Sequence, residues 1–301
     1  MDIDNELSFA LHSGKLLRRC NYSWYKITKN SHRHHGLNIS SLVLLFKTVV
    51  LTKLLYAGPV WLSPKTLPQF KSFYAKACLK ISGSTHYTPQ GLTLLTMGLE
   101  PLEILYKVIC TKFALKALSS DANMVGLMLQ IEESRAHPYY QHINMVKDYL
   151  SLKLNTQYNL GMRRHNSKSL CYVDKSHFMY QKSDIDMLKL ELWNQYLISE
   201  ADSKTQKIMI PENNGSSSTH LVQSINQHKI LFPRDSRRST DTKVMSLLHG
   251  HDLTFRSFKH SMNLSDSPYC LTCQGERDDN KHQLLDCPRF NSHYRISLQS
   301  L

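Results

Sequence analysis

The sequence predicts a mainly α-helical chain in three parts: a basic helical region over residues 1–120, a helical and irregular stretch over 121–218, and a small C-terminal module over 219–301. Three observations lead to this. Apolar residues in the first third recur three and four apart, in segments bounded by glycine and proline, which is the period of helices and not of strands. The positive charge is concentrated in that same third. Near the C-terminus, three cysteines and a histidine fall together as Cys-x2-Cys-x8-His-x4-Cys.

Taken in order, Leu7 to Ile27 carries Leu7, Ala10, Leu11, Leu16 and Leu17 at helical spacing, interleaved with Lys15, Arg18 and Arg19. Ile39 to Tyr56 is a stronger amphipathic pattern, with Leu42, Leu45, Phe46, Val49, Val50, Leu54 and Leu55 apolar, Ser40 and Ser41 as capping candidates, and Gly58-Pro59 as its end. After Pro64, the residues Leu67, Phe70, Phe73, Tyr74, Ala77, Cys78 and Ile81 share one face, opposite Lys71, Lys76 and Lys80, until Gly83-Ser84-Thr85 breaks the pattern. A short helix over Gly91 to Met97 and a long one from Pro101 to about Leu118 complete this region. The aromatic and methionine stripe along these helices reads as core.

Beyond Ser119 the pattern weakens. Helices are expected over Asp121 to Glu133, His142 to Leu154 and Met187 to Ile198, with an irregular polar run over Asn155 to Lys182. Pro211 to Ser218 is glycine- and serine-rich and reads as a linker that ends the middle part. Thr240 to Leu248, ended by Gly250, and Phe255 to Met262 are expected to deliver the chain to the cysteines.

Charge narrows the function classes. The 37 Lys and Arg against 24 Asp and Glu leave +13 over 301 residues, which points to a polyanionic partner. After Glu6 the next acidic residue is Glu100, so 93 consecutive residues hold twelve Lys or Arg and no carboxylate. Each phosphate met by a cation releases condensed counterions, and an interspersed acid would oppose that approach. Residues 251–301, with six basic and six acidic side chains, are neutral by comparison. An RNA or DNA surface is therefore expected in the first third, with Lys15, Arg18, Arg19, Lys26, Lys29, Arg33, Lys71, Lys76 and Lys80 as phosphate contacts. Trp24, Tyr25 and Trp61 are either stacking aromatics beside those cations or core.

Three thiolates and an imidazole form a complete tetrahedral shell for zinc, so Cys270, Cys273, His282 and Cys287 predict a closed structural Zn2+ site with no position left for a substrate. Gly275 lets the chain turn sharply after the second thiolate, and His282 starts a short helical turn stopped by Pro288. Cys20, Cys78, Cys110 and Cys171 are scattered through helical segments and read as buried thiols of a reducing, intracellular compartment, nuclear or cytoplasmic. The acidic opening Met1 to Glu6 does not suit a signal peptide, and the most apolar run, Ser41 to Tyr56, is too short and too charged to span a bilayer, so no membrane role is expected.

An enzyme would need parts that are missing. The basic third offers no paired carboxylates for two-metal chemistry, and no phosphate loop, nucleophile elbow or His-Glu-x-x-His sequence occurs. Asp184, Asp186 and Glu191 read as acids at a helix N-terminus, and His249-Gly250-His251 as a glycine-capped helix end. No small-molecule site is evident.

Several segments together resemble a known family. Met1 to His12, with Leu7-Ser8-Phe9 and His12, followed by Leu45-Phe46-Lys47-Thr48-Val49-Val50 and Tyr56-Ala57-Gly58-Pro59-Val60-Trp61, look like the region just after the palm in jockey-like non-LTR retrotransposon reverse transcriptases. Met97 to Leu102 fits the same stretch. Leu247 to His251, Cys270 to Cys273 and His282 to Phe290 with Arg295 are similar to the zinc-binding tail of those polyproteins. The resemblance covers about residues 1–110 and 235–296.

It implies a basic thumb-like helical domain that grips a template and primer, followed by a zinc module whose ligands are Cys270, Cys273, His282 and Cys287. Met1, Phe46, Ala57 and His249 depart from the family pattern, and the Tyr-x-Asp-Asp polymerase turn does not occur. The expectation is a C-terminal fragment of an RNA-directed DNA polymerase that binds nucleic acid without catalysing synthesis. The alternative is a host nucleic-acid-binding or interaction protein with a zinc knuckle.

Overall fold

A computed structural model describes residues 9–32, 35–62, 65–85, 88, 90–120, 140–154, 179–199, 235–250, 252–280, 282–283 and 287–288. It is mainly α-helical. Among the described residues the sole extended pairing is the antiparallel bridge between Tyr269 and Arg277. The helix expected over 121–133, the irregular run over 155–178 and the linker over 211–218, where the middle part was to end, lie outside the described residues.

The helices are α1 (Ala10–Thr28), α2 (Ile39–Leu45), which runs on through a π-helical turn Phe46–Leu51 into α3 (Thr52–Leu55), then α4 (Gly58–Trp61), α5 (Leu67–Ser82), α6 (Gln90–Thr96) and α7 (Leu102–Ser120). They continue with α8 (Tyr140–Leu154), α9 (Lys182–Ser199), α10 (Arg238–Leu248) and α11 (Arg256–Ser261). The rod α2–α3 stops at Ala57, a non-glycine residue in the left-handed region at φ 51°, and Pro59 then opens the single turn of α4, where a missing N–H costs nothing. Its start differs from expectation. Asn38, not Ser40 or Ser41, is the cap, its side-chain oxygen accepting from the Ser41 backbone N–H at 2.8 Å. Ser40 is instead buried inside the first turn. An amide oxygen one residue before the helix reaches the third N–H, which neither serine can do from within it.

The described residues within 1–20, 52–71 and 100–199 form one compact unit, and those within 21–51, 72–99 and 200–301 form another. In the first, α7 buries apolar residues on several sides, among them Leu102, Tyr106, Val108, Cys110, Leu115 and Leu118, between the charged positions Glu103, Lys107, Lys112 and Lys116. It packs against α4, α8 and α9. Trp61, Phe70, Leu115, Val146, Tyr149 and Trp193 are buried there, with the Trp61 and Phe70 rings 5.3 Å apart. Two ion pairs edge this core, Lys71 with Glu103, and Lys189 with Glu100 at 2.7 Å.

In the second unit, Phe46 is the centre of an aromatic cluster, 5.3 Å from Trp24 and 5.4 Å from Tyr74, with Ile39, Leu42, Val50 and Ile81 buried around it. The stripe read as core is core. Cys78 is buried as well, and its thiol is pushed up by that burial. In the first unit, burial likewise raises Cys20 to about 11 against the opposing charge of Lys53, and Cys110 to about 12. These three thiols are inert structural side chains at neutral pH.

Helix α10 is held to the rest of this second unit by buried polar groups. Arg238, 4% exposed, donates to the backbone carbonyls of Ile81, Lys80 (2.9 Å) and His32 (3.4 Å). A cation thereby satisfies the orphan carbonyls at the end of α5 and meets the negative end of its dipole. Burial pulls the guanidinium down to about 10, opposed by the charge of Asp241, so it remains charged at neutral pH. Asp241 in turn accepts from the Ile39 backbone N–H at 3.0 Å, capping α2 from outside.

Candidate metal centre and basic surface

The C-terminal cysteines and histidine come together. The ligand atoms of Cys270, Cys273, His282 and Cys287 all lie within 4.8 Å of one another. Local sequence explains how. The Tyr269–Arg277 bridge, with Cys270 N–H donating to Glu276 O at 2.9 Å and Asp278 N–H to Pro268 O at 2.9 Å, pinches residues 269–277 into a hairpin. Gly275, at φ 122°, occupies a backbone region that other residues rarely adopt, and a Cβ there would meet nothing, so conformation and not space selects glycine. His282 is placed by its own N–H donating to Asp279 Oδ1 at 3.0 Å.

The distances favour a shared ion over a disulfide. Cys270 Sγ and Cys273 Sγ lie 4.0 and 3.9 Å from Cys287 Sγ, far beyond the roughly 2 Å of a sulfur–sulfur bond. The imidazole of His282 is 5% exposed, and apart from the neighbouring Cys270 sulfur its ring nitrogens meet no hydrogen-bond partner. A buried, unsatisfied imidazole costs about 1–3 kcal/mol, a cost removed if one nitrogen ligates a cation. Burial opposes ionisation of Cys270, but backbone N–H groups of Cys273 and Thr272 and the neighbouring His282 and Cys287 side chains outweigh it and bring the thiol down to about 7. Cys273 is raised to about 11 by desolvation and by the neighbouring sulfurs of Cys287 and Cys270. The four residues therefore form a site able to bind a metal ion.

Asp278 and Asn280, which sequence reasoning did not single out, fix this loop to its surroundings. The Asp278 carboxylate accepts from Arg256 N–H at 2.9 Å and from Gln283 Nε2 at 2.7 Å, and its backbone oxygen accepts from Ser257 Oγ at 2.7 Å. One acid thus caps α11 and braces the residue after His282. Asn280 Nδ2 donates to Leu248 O at 2.9 Å, closing the end of α10. Gly250, at φ 71°, lies so close to Asn280 that a Cβ would sit 3.4 Å from its amide. The expected glycine cap after α10 is present. His249 Nδ1 is paired with Ser84 Oγ at 3.0 Å, while His251 lies outside the described residues.

The nine cations expected to meet phosphate are exposed, apart from Arg33, which lies outside the described residues. Lys15, Arg18, Arg19, Lys26 and Lys29 stand on α1 and the residue just after it, and Lys71, Lys76 and Lys80 on α5. Lys71 is engaged by Glu103, so its charge is already answered. Of the three aromatics left open, Trp24 and Trp61 are buried and Tyr25 is 63% exposed. Tyr22, 60% exposed, had escaped notice, although its place three after Arg19 and four before Lys26 puts it on their face. Of the acids read as a helix start, Asp184 lies in the first turn of α9 and accepts from Gln181 N–H and from Tyr149 Oη, each at 3.1 Å, whereas Glu191 stands mid-helix and accepts from Gln195 one turn on at 3.0 Å. No described helix is long and apolar enough to cross a membrane. Neither the family models, the curated proteins nor the solved structures compared with this chain gave a match.

Proposed function

We propose that this chain corresponds to the post-palm thumb and zinc-binding tail of a jockey-like non-LTR retrotransposon reverse transcriptase, and that it binds RNA or DNA without itself polymerising. The observation that carries this reading is the Cys270, Cys273, His282 and Cys287 cluster, with ligand atoms within 4.8 Å, at the place in the chain where the resemblance puts a zinc module. Zinc is the ion that suits it. A tetrahedron with sulfur arms of about 2.3 Å has edges of about 3.8 Å, and the sulfurs stand 3.9 and 4.0 Å apart. The ion would supply a crosslink, tying hairpin 269–277 to the segment from His282 to Cys287, and its filled shell leaves no site for chemistry.

Nucleic-acid binding rests on the exposed cations of α1 and α5 and on the acid-free run that contains them. The absence of Tyr-x-Asp-Asp from the sequence is the reason for expecting no synthesis. Three measurements test the reading separately. Mass spectrometry of the purified chain should find one equivalent of zinc, lost in Cys273→Ala; a folded, reduced and metal-free protein would remove the tail from the argument. Affinity for RNA or DNA should fall steeply with salt, and a flat salt response would remove the nucleic-acid function. Detectable DNA synthesis on a primed RNA template would overturn the non-catalytic assignment.

A second reading has its own observation. Leu264, Tyr269 and Leu271 on the cysteine loop are 62%, 52% and 69% exposed, an apolar surface suited to a protein contact. If the module serves a host interaction protein and not nucleic acid, deleting residues 252–301, which spares the contacts of Arg238 and Asp241, leaves nucleic-acid affinity and its salt slope unchanged.

A further inference from the structure

Resting on the nucleic-acid reading above, we infer that the solvent face of α1 selects single strands over duplex by stacking bases on Tyr22 and Tyr25. Residues 22, 25, 26 and 29 follow one another at spacings of three and four, so Tyr22, Tyr25, Lys26 and Lys29 share a face of the helix, which Lys29 extends by donating its N–H to Tyr25 O at 2.8 Å. All four are exposed. Arg18 and Arg19 continue the same face one turn back.

The exposure is opposite to what apolar burial alone would produce. Trp24, between the two tyrosines in sequence, is 8% exposed and packs edge-on to Phe46, whereas Tyr22 and Tyr25 keep 60% and 63% of their surface in solvent. Lys26 Nζ sits over one face of the Tyr22 ring, 4.5 Å from its centroid, so a base stacking on Tyr22 would take the opposite face, with the cation at its back. Aromatic rings flanked by cations, as Tyr22 and Tyr25 are by Arg18, Arg19, Lys26 and Lys29, suit a single strand, since each unpaired base offers a π-face and each linkage a charge. A duplex hides its bases in the stack and can use only the cations. No Asp or Glu occurs between Glu6 and Glu100 to oppose either polymer along this helix.

The test uses the full chain, a labelled single-stranded DNA of about 16 nucleotides and a duplex of the same length. The wild type should favour the single strand. Replacing both rings, Tyr22→Ala with Tyr25→Ala, should lower single-strand affinity by at least about tenfold, because stacking contributes on the order of 1–3 kcal/mol per base, and should collapse the preference over duplex. Tyr22→Phe with Tyr25→Phe keeps the rings and should keep the preference, which separates stacking from loss of fold. An unchanged single-strand to duplex ratio in the alanine pair overturns the inference while leaving nucleic-acid binding intact. Binding of neither polymer by the wild type overturns the nucleic-acid reading itself.

Discussion

The aromatic cluster around Phe46 and the cysteine loop belong to the same compact unit, yet they are held by different physics. Phe46, Tyr74, Ile39, Leu42 and Val50 are fully buried and surrounded by other side chains, so removal of apolar surface from water holds that region together. Over residues 252–288 the described buried apolar side chains are Phe255, Cys270 and Cys287. So small a core cannot stabilise a fold by burial alone, and polar clasps together with the proposed ion take its place. The first region rests on many interchangeable apolar contacts; the second depends on each of a few donors and acceptors.

The sharpest way to test that contrast is to remove the metal. Chelation should abolish hydrogen-exchange protection throughout 252–288, since structural zinc contributes on the order of 10–16 kcal/mol to small modules, and should leave amides around Phe46 protected. Simultaneous loss of both regions would show that they share one stabilising source. Next in size, Phe46→Ala should cost about 3–5 kcal/mol in denaturant melts, with zinc content unaltered. A variant that loses zinc would tie the loop to the aromatic core.

Arg238→Met leaves the carbonyls of Lys80 and Ile81 without their donor and should cost about 2–3 kcal/mol by the same melts, again with zinc retained. A smaller, local effect is expected of Asp278→Asn. It should cost about 1–2 kcal/mol and speed exchange of the Arg256 and Ser257 amides without releasing the ion. The smallest change in stability, within about 0.5 kcal/mol, is expected of Lys76→Gln with Lys80→Gln, whose effect should appear as a shallower salt dependence of nucleic-acid affinity. A large loss of stability there would mean that the exposed cations serve the fold and not a ligand.

Much of this was legible from residue order because it is local. Helix periodicity located α1, the rod from α2 to α3, α5, α6 and α7 to within a few residues, and the spacing Cys-x2-Cys-x8-His-x4-Cys was enough to bring four ligands together, since a hairpin and one turn span it. Boundaries shifted where a cap was chosen by reach, as Asn38 displaced Ser40 and Ser41. Asp278 looked like one acid among several in a polar loop; nothing in its neighbours announces that it caps α11.

What the sequence determined by itself was helical character and a quartet able to hold a metal ion, because each depends on residues within about twenty positions of one another, together with the segregation of charge, which is composition alone. What only the tertiary structure decided was which aromatic rings face solvent and which long-range partners close the helix ends. Trp24 and Tyr25 are neighbours in sequence and differ by one step around α1, about 100°, and that rotation buries one and exposes the other. Arg238 meets Ile81 across 157 positions, a pairing that no local pattern encodes, because it follows from how packed helices bring unsatisfied carbonyls within reach of a cation.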